Sequence, residues 1–176
     1  MKIYAARHGQ TQWNAENRTC GRTDLPLTEL GHEQARLLAE KAKDYDLDII
    51  VVSPMLRAKQ TAQAVADLCG IPMVEEPRLM EQNYGIYEGK SRFDPGFLEN
   101  KRHFAWRYPE GESMLDLAHR VYSALDDIVA KYSDKNVLLV CHGGVLRAVR
   151  TYFEDMTNDA YYTYSEPNAA IREFTI

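Results

Sequence analysis

Ile3-Tyr4-Ala5-Ala6-Arg7-His8-Gly9-Gln10-Thr11 carries a short apolar run that empties directly into an arginine, a histidine and a glycine. Such a run, succeeded at once by polar residues, reads as a buried strand delivering a loop. In open α/β sheets the carboxyl ends of the strands are where ligands bind. A histidine can act as a nucleophile, a neighbouring arginine can hold an anion, and a glycine lets the backbone approach closely. Three residues alone do not establish a site, so the rest of the chain must supply their partners.

The same pattern recurs twice. Asn136-Val137-Leu138-Leu139-Val140-Cys141 is a continuous apolar run that ends in His142-Gly143-Gly144, and Leu47-Asp48-Ile49-Ile50-Val51-Val52 ends in Ser53-Pro54. Runs without polar alternation are the mark of strands buried on both faces, as in a parallel sheet. Between them lie amphipathic segments. Thr28 offers an N-cap to a helix with Leu30, Ala35, Leu38, Ala39 and Ala42 on one side. Ser53 as cap and Pro54 at the first helical position open a second helix carrying Met55, Ala58, Ala62, Val65, Ala66 and Cys69, closed by Gly70. Ser113 with Asp116 begins a third with Leu117, Val121, Leu125, Ile128 and Val129, and Val145, Leu146, Val149 and Phe153 mark a fourth. Ile71–Val74 and Ala169–Thr175 read as short strands, the latter after an aromatic loop with Tyr161, Tyr162 and Tyr164. Residues 11–24 lack periodicity and read as loop with at most a turn of helix. The predicted fold is a single-domain, three-layer α/β/α sandwich over residues 1–176, its sheet mostly parallel.

Composition bounds the rest. A chain of 176 residues, 45% hydrophobic and 27% charged, is of common single-domain size and buries about 70% of its unfolded surface. No run reaches the eighteen or so apolar residues of a membrane span, and the opening apolar stretch is too short for a signal peptide, so a cytoplasmic location is the default expectation. Cys20, Cys69 and Cys141 are odd in number and widely spaced, which fits neither a disulfide framework nor a Cys-x-x-Cys metal site. A formal net charge of -5 argues against an electrostatic nucleic-acid surface. Neither metal nor cofactor is expected, and the oligomeric state is not fixed, since the Tyr161–Tyr164 stretch is open between an interface and a core edge.

If the three strands ending near Ala6, Val52 and Cys141 are parallel neighbours, Arg7, His8, Arg57 and His142 meet at one edge of the sheet, with helix N-termini adding donor amides. That makes an anion pocket suited to a phosphoryl group. The motifs then become recognisable together: Arg7-His8-Gly9-Gln10-Thr11 with Trp13-Asn14, Thr28-Glu29-Leu30-Gly31, Ser53-Pro54 with Arg57-Ala58 and Thr61-Ala62, Glu81 before Tyr84-Gly85 and Glu88-Gly89, Gly111-Glu112-Ser113, and Cys141-His142-Gly143-Gly144. In this order they resemble the histidine phosphatase, or phosphoglycerate mutase-like, superfamily from residue 3 to about 150.

The resemblance implies a role for each position. His8 is the nucleophile that forms a phosphohistidine, neutral and with its second nitrogen donating to a fixed acceptor. Arg7 and Arg57 lower its pKa and grip the phosphoryl oxygens, to which His142 also donates. Glu81 is the proton donor, which requires a raised pKa, with Leu79, Met80 and Ile86 available to desolvate it. Asn14, Cys20, Gly21 and Gly143 fall where the family contacts its substrate. His32 and His119 have no motif support and read as helix surface, while His103 is a candidate substrate contact. The segment 90–111, with Arg92, Lys101, Arg102, His103, Phe104, Trp106, Arg107 and Tyr108, reads equally as a pocket lining or a solvated insertion. Its shortness is similar to the compact phosphatase branch, so the expected function is hydrolysis of a small phosphorylated metabolite. Phosphoglycerate mutase-type transfer and a phospho-ligand-binding regulator stay as alternatives.

Overall fold

The computed structural model describes residues 1–175. Among the described residues five strands, β1 (Lys2–Arg7), β2 (Ile49–Val52), β3 (Met73–Glu75), β4 (Val137–Cys141) and β5 (Ile171–Thr175), form one sheet in the order β3-β2-β4-β1-β5. The first four in that order are parallel, and β5 runs antiparallel to β1. The register aligns Arg7 with Cys141 and Val52 with Val140. The carboxyl ends of β1, β4 and β2 therefore finish side by side, with β4 in the middle.

The helices of the described residues are α1 (Gln12–Ala15), α2 (Glu29–Ala42), α3 (Leu56–Cys69), α4 (Pro95–Arg102), α5 (Met114–Lys131), α6 (Gly143–Phe153) and α7 (Asn158–Thr163). The central strands are apolar throughout because both of their faces are covered. Alternate residues point to opposite sides. Tyr4, Ala6, Ile50, Val52, Leu138 and Val140 pack against α2 and α3, while Ile3, Ala5, Ile49, Val51, Leu139 and Cys141 pack against α5 and α6. This is the expected three-layer sandwich.

Three local readings are corrected. The second predicted helix begins at Leu56, not at Pro54, and Ser53 is not its cap. The Ser53 hydroxyl is engaged with His142, and the Leu56 amide is satisfied instead by Asp24 Oδ1 at 2.8 Å, a side chain from the loop after α1. A cap from 32 residues away leaves no trace in local sequence. The aromatic loop around Tyr161 is a helix, α7, capped by the Thr157 side chain on the Ala160 amide. The aperiodic segment 90–111 contains α4, whose start was legible: Asp94 caps Gly96 and Phe97, and Pro95 occupies the first turn. Phe97 is the one buried residue of this helix, so there is no apolar stripe for periodicity to find. It anchors α4 in a small aromatic cluster with Tyr84, Tyr87 and Tyr108, the Phe97 and Tyr108 rings stacking at 5.4 Å.

Candidate active site

His8 leaves the end of β1 with its backbone N–H bonded to Cys141 O of β4 at 3.0 Å. The residue is 3% exposed. Nδ1 lies 2.7 Å from Gly9 O, and a carbonyl can only accept, so Nδ1 carries the hydrogen and Nε2 presents a lone pair. Gly9 is held by Thr61 of α3, whose hydroxyl accepts from the Gly9 amide at 2.9 Å and donates to Arg57 O at 2.8 Å. The expected fixed acceptor is thus present, built by a threonine one turn after Arg57.

Arg57 is fully buried in the first turn of α3. Its Nε donates to His8 Nε2 at 3.2 Å, NH2 to Gly21 O at 2.7 Å and NH1 to Thr23 O at 2.9 Å. All of these acceptors are neutral, and among the described residues no carboxylate pairs with it. A buried cation without a counter-charge is expensive unless an anion visits. The carbonyls that hold it are fixed in turn by Glu88, which accepts from the Gly21 and Arg22 amides and from the Thr23 hydroxyl at 2.8 to 3.1 Å.

His142 comes directly after β4 as the N-cap of α6, fully buried, its ring centroid 5.1 Å from that of His8. Its Nε2 lies 2.7 Å from Ser53 Oγ, at the neighbouring strand end, while Nδ1 is buried without a partner among the described residues. Arg7 donates through NH1 to Glu166 O at 2.7 Å, and its Nε is likewise buried and unpartnered. Burial, together with Arg57 and Arg7, holds His8 well below the usual histidine range. Burial with Arg57, His8 and Arg7 does the same for His142. Both shifts favour the neutral ring.

Glu81 is 4% exposed, on the loop after β3. One carboxylate oxygen accepts from its neighbour's amide, Gln82 N at 2.8 Å, and the other from Gly144 N at the start of α6 at 3.0 Å. A Cβ at Gly144 would sit 2.5 Å from Glu81 Oε1 and 3.0 Å from the Tyr84 hydroxyl, so only glycine lets the carboxylate reach the helix. The loop itself is clamped. Arg120 of α5 donates to Arg78 O and Met80 O at 2.6 Å and to Glu81 O at 3.1 Å, and Arg22 donates to Glu81 O at 2.6 Å. Glu112 ties the two arginines together.

A cavity of about 340 Å³ opens above these groups. Arg7, Asn14, Cys20, Glu81 and Gly143 line it, as do Tyr84, Arg92, Lys101 and Arg147. His8, Arg57 and His142 lie buried beside it. Gly21 is not on its wall: its carbonyl and amide serve Arg57 and Glu88. Burial raises the Cys20 thiol above its ordinary range, against nearby Arg57. His103 does not reach this cavity, because its ring stacks on Trp106 at 3.8 Å and pairs with Glu99 at 2.9 Å. His32 and His119 are exposed. The segment 90–111 divides, with Arg92 and Lys101 facing the cavity and Arg107 bound to Asp116 away from it. Sequence reasoning missed Ser53 as the partner of His142, Tyr84 and Arg147 as lining residues, and Asn168, which donates to His8 O at 2.9 Å. No local pattern marks them, since each acts on groups remote in the chain or is one of many polar residues along a helix.

Comparison with known proteins agrees with this architecture. The model of the histidine phosphatase superfamily, branch 1, matches residues 3–176. A probable phosphoglycerate mutase, GpmB, of Yersinia pestis is 38% identical over 153 residues, which cover 83% of this chain and 71% of the relative. Among solved structures, a mycobacterial glucosyl-3-phosphoglycerate phosphatase superposes with a TM-score of 0.86 at 27% identity, covering 98% of this chain and 88% of the other. YhfR of Bacillus stearothermophilus gives 0.87 at 31% identity, with 98% and 89% covered.

Proposed function

Since the chain belongs to the histidine phosphatase superfamily, we propose that it is a metal-independent phosphomonoesterase that works through a phosphohistidine on His8. The observation that carries this is the fully buried Arg57, which has no carboxylate partner among the described residues and aims its Nε at the lone pair of a neutral histidine.

In the free protein that Nε–H caps His8 Nε2. A phosphoryl oxygen entering beside it takes over the guanidinium and releases the lone pair for attack. Arg7 Nε and His142 Nδ1, buried without a partner among the described residues, then donate to the other phosphoryl oxygens. For Nδ1 of neutral His142 to donate, Nε2 must accept, so the Ser53 hydroxyl donates to it and sets the tautomer. His8 Nε2 bonds to phosphorus as the ester P–O bond breaks, and the proton on Glu81 passes to the leaving alkoxide. Water then attacks the phosphohistidine and gives its proton to Glu81. Phosphate leaves with the P–N bond broken, and His8 returns to its neutral form.

Hydrolysis of p-nitrophenyl phosphate in EDTA tests this reading. Wild type and His119→Ala turn over alike and His8→Ala does not. Equal rates in all three, or dependence on added metal, refute it. The 38% identity to a probable phosphoglycerate mutase supports a second reading, phosphoryl transfer between positions of one molecule. With 3-phosphoglycerate and a trace of 2,3-bisphosphoglycerate, hydrolysis releases inorganic phosphate faster than the 2-isomer forms. The opposite order selects the mutase.

A further inference from the structure

The turn that leads into β5 is bonded to the end of β1. Pro167-Asn168-Ala169-Ala170 is closed by the Ala170 amide on Pro167 O at 3.2 Å, and its third residue, Ala169, stands at φ 57°. That left-handed conformation is uncommon for a residue with a Cβ, and a turn that needs it ordinarily places glycine or asparagine there. Backbone bonds hold the alanine in place: the Arg7 amide donates to Ala170 O at 3.2 Å, and the Ala169 amide donates to Arg7 O at 3.0 Å and to His8 O at 3.4 Å. Asn168, the second residue of the turn, is thereby presented to the His8 peptide.

The Asn168 carboxamide bridges two groups. Its Nδ2 donates to His8 O at 2.9 Å and to Asn14 Oδ1 at 3.4 Å. Donor and acceptor chemistry leaves one orientation for each amide. His8 O can only accept, so the Asn168 atom that faces it is the NH2 group. The Thr11 amide can only donate, so the Asn14 atom 3.1 Å from it is the carbonyl oxygen. With Oδ1 taken by Thr11 and Asn168, Asn14 Nδ2 has no hydrogen-bond partner among the described residues. Asn14 lines the cavity together with Arg7 and Glu81, whereas Asn168 is not among the lining residues.

We propose that Asn168 is a positioning residue for phosphoryl transfer. By holding Asn14 Oδ1 it leaves the Asn14 NH2 to donate to the phosphoryl group attached at His8, and by holding His8 O it fixes the peptide that carries the ring. The proposal rests on the phosphohistidine reading, and Asn168 acts without touching substrate. A donor stabilises charge in the transition state without reorganising only when its direction is set beforehand, and a second polar side chain behind it sets that direction. Removing Asn168 leaves Asn14 with the Thr11 bond alone, free to turn its carboxamide.

A double-mutant cycle of Asn14→Ala and Asn168→Ala, read with p-nitrophenyl phosphate, measures the coupling. Each single variant loses about 10-fold in kcat with KM changed by less than about twofold, and the double variant loses little more than Asn14→Ala alone. Asn168→Asp keeps the size of the side chain but turns only acceptors towards His8 O and Asn14 Oδ1, so its loss is larger, about 100-fold. Additive losses in the cycle, or an aspartate variant as active as wild type, would overturn the proposal. Thermal unfolding accompanies each variant, and failure of both Asn168→Ala and Asn168→Asp to fold would assign Asn168 to the fold alone. Calorimetric titration of orthovanadate, a mimic of the phosphoryl group in transfer, into the same proteins reads the coupling without turnover, as the same non-additivity in Kd. A protein that proves inactive on phosphate esters therefore still decides the role of Asn168, and a protein that hydrolyses them with additive losses keeps the phosphatase reading while losing the positioning role.

Discussion

The two ends of the cavity are built on opposite plans. At the inner end His8, Arg57 and His142 are buried, come from strand ends or the helix turn just after one, and are each fixed by named partners, Gly9 O, Gly21 O and Ser53 Oγ. At the outer end Arg92 is exposed, Lys101 and Arg147 are half-buried, and none has a counter-charge among the described residues. The inner end is preorganised, so the reorganisation that would slow the proposed phosphoryl transfer is already complete when the chain folds. At the outer end like charges stand close together, and burial with Arg147 and Arg92 lowers the Lys101 ammonium.

Substitutions at the inner end should therefore lower kcat for every substrate alike. His8→Ala has the largest effect, a loss of about 10⁴-fold or more in steady-state hydrolysis, with no labelled phosphoprotein trapped from a radiolabelled substrate. Equal labelling of the variant would move the nucleophile elsewhere. Arg57→Met comes next, with a loss of about 10²- to 10³-fold in kcat. If KM alone changes, Arg57 binds substrate without acting on the transition state.

A smaller effect tests the tautomer of His142. Ser53→Ala is expected to cost about 10-fold in kcat, with Ser53→Thr recovering most of it, and nitrogen NMR of the variant should show His142 losing its Nδ1–H form. An unchanged tautomer would leave Ser53 as packing only. The burial of two neutral histidines also has a sign in stability. Their folded pKa values lie below the unfolded value, so the unfolded chain binds more protons as pH falls past about 6.5, and stability drops there. Thermal unfolding from about pH 7.5 to 5 should lower Tm, and less so in His8→Asn. The least effect is expected at Asp24→Ala, about 1 kcal/mol of stability in denaturant unfolding, by uncapping the helix that carries Arg57.

The inner end was largely legible beforehand, and the outer end was not. Ile3–Ala6, Ile49–Val52 and Val137–Cys141 announce buried strands because covering both faces removes every polar residue, and the loops leaving such strands converge at one edge of a parallel sheet. The same logic places Arg7, His8 and His142, while Arg57 rides in the first turn of α3. By contrast, Arg92, Lys101 and Arg147 look like any surface cations, since a charged residue on a solvated face carries no period of its own. Asp24 and Ser53 mislead for a related reason, as capping and hydrogen bonding across 32 or 89 positions leave the local pattern untouched.

Local pattern was enough for the layered α/β architecture and for grouping the residues at the inner end of the cavity, because periodic burial and strand-end motifs are properties of neighbours in the chain. The tautomer of His8, the missing counter-charge of Arg57 among the described residues, and the meeting of three distant cations over one cavity came into view with the folded chain alone. Those depend on distances between groups far apart in sequence, and the sign of an electrostatic energy is fixed by neighbours in space.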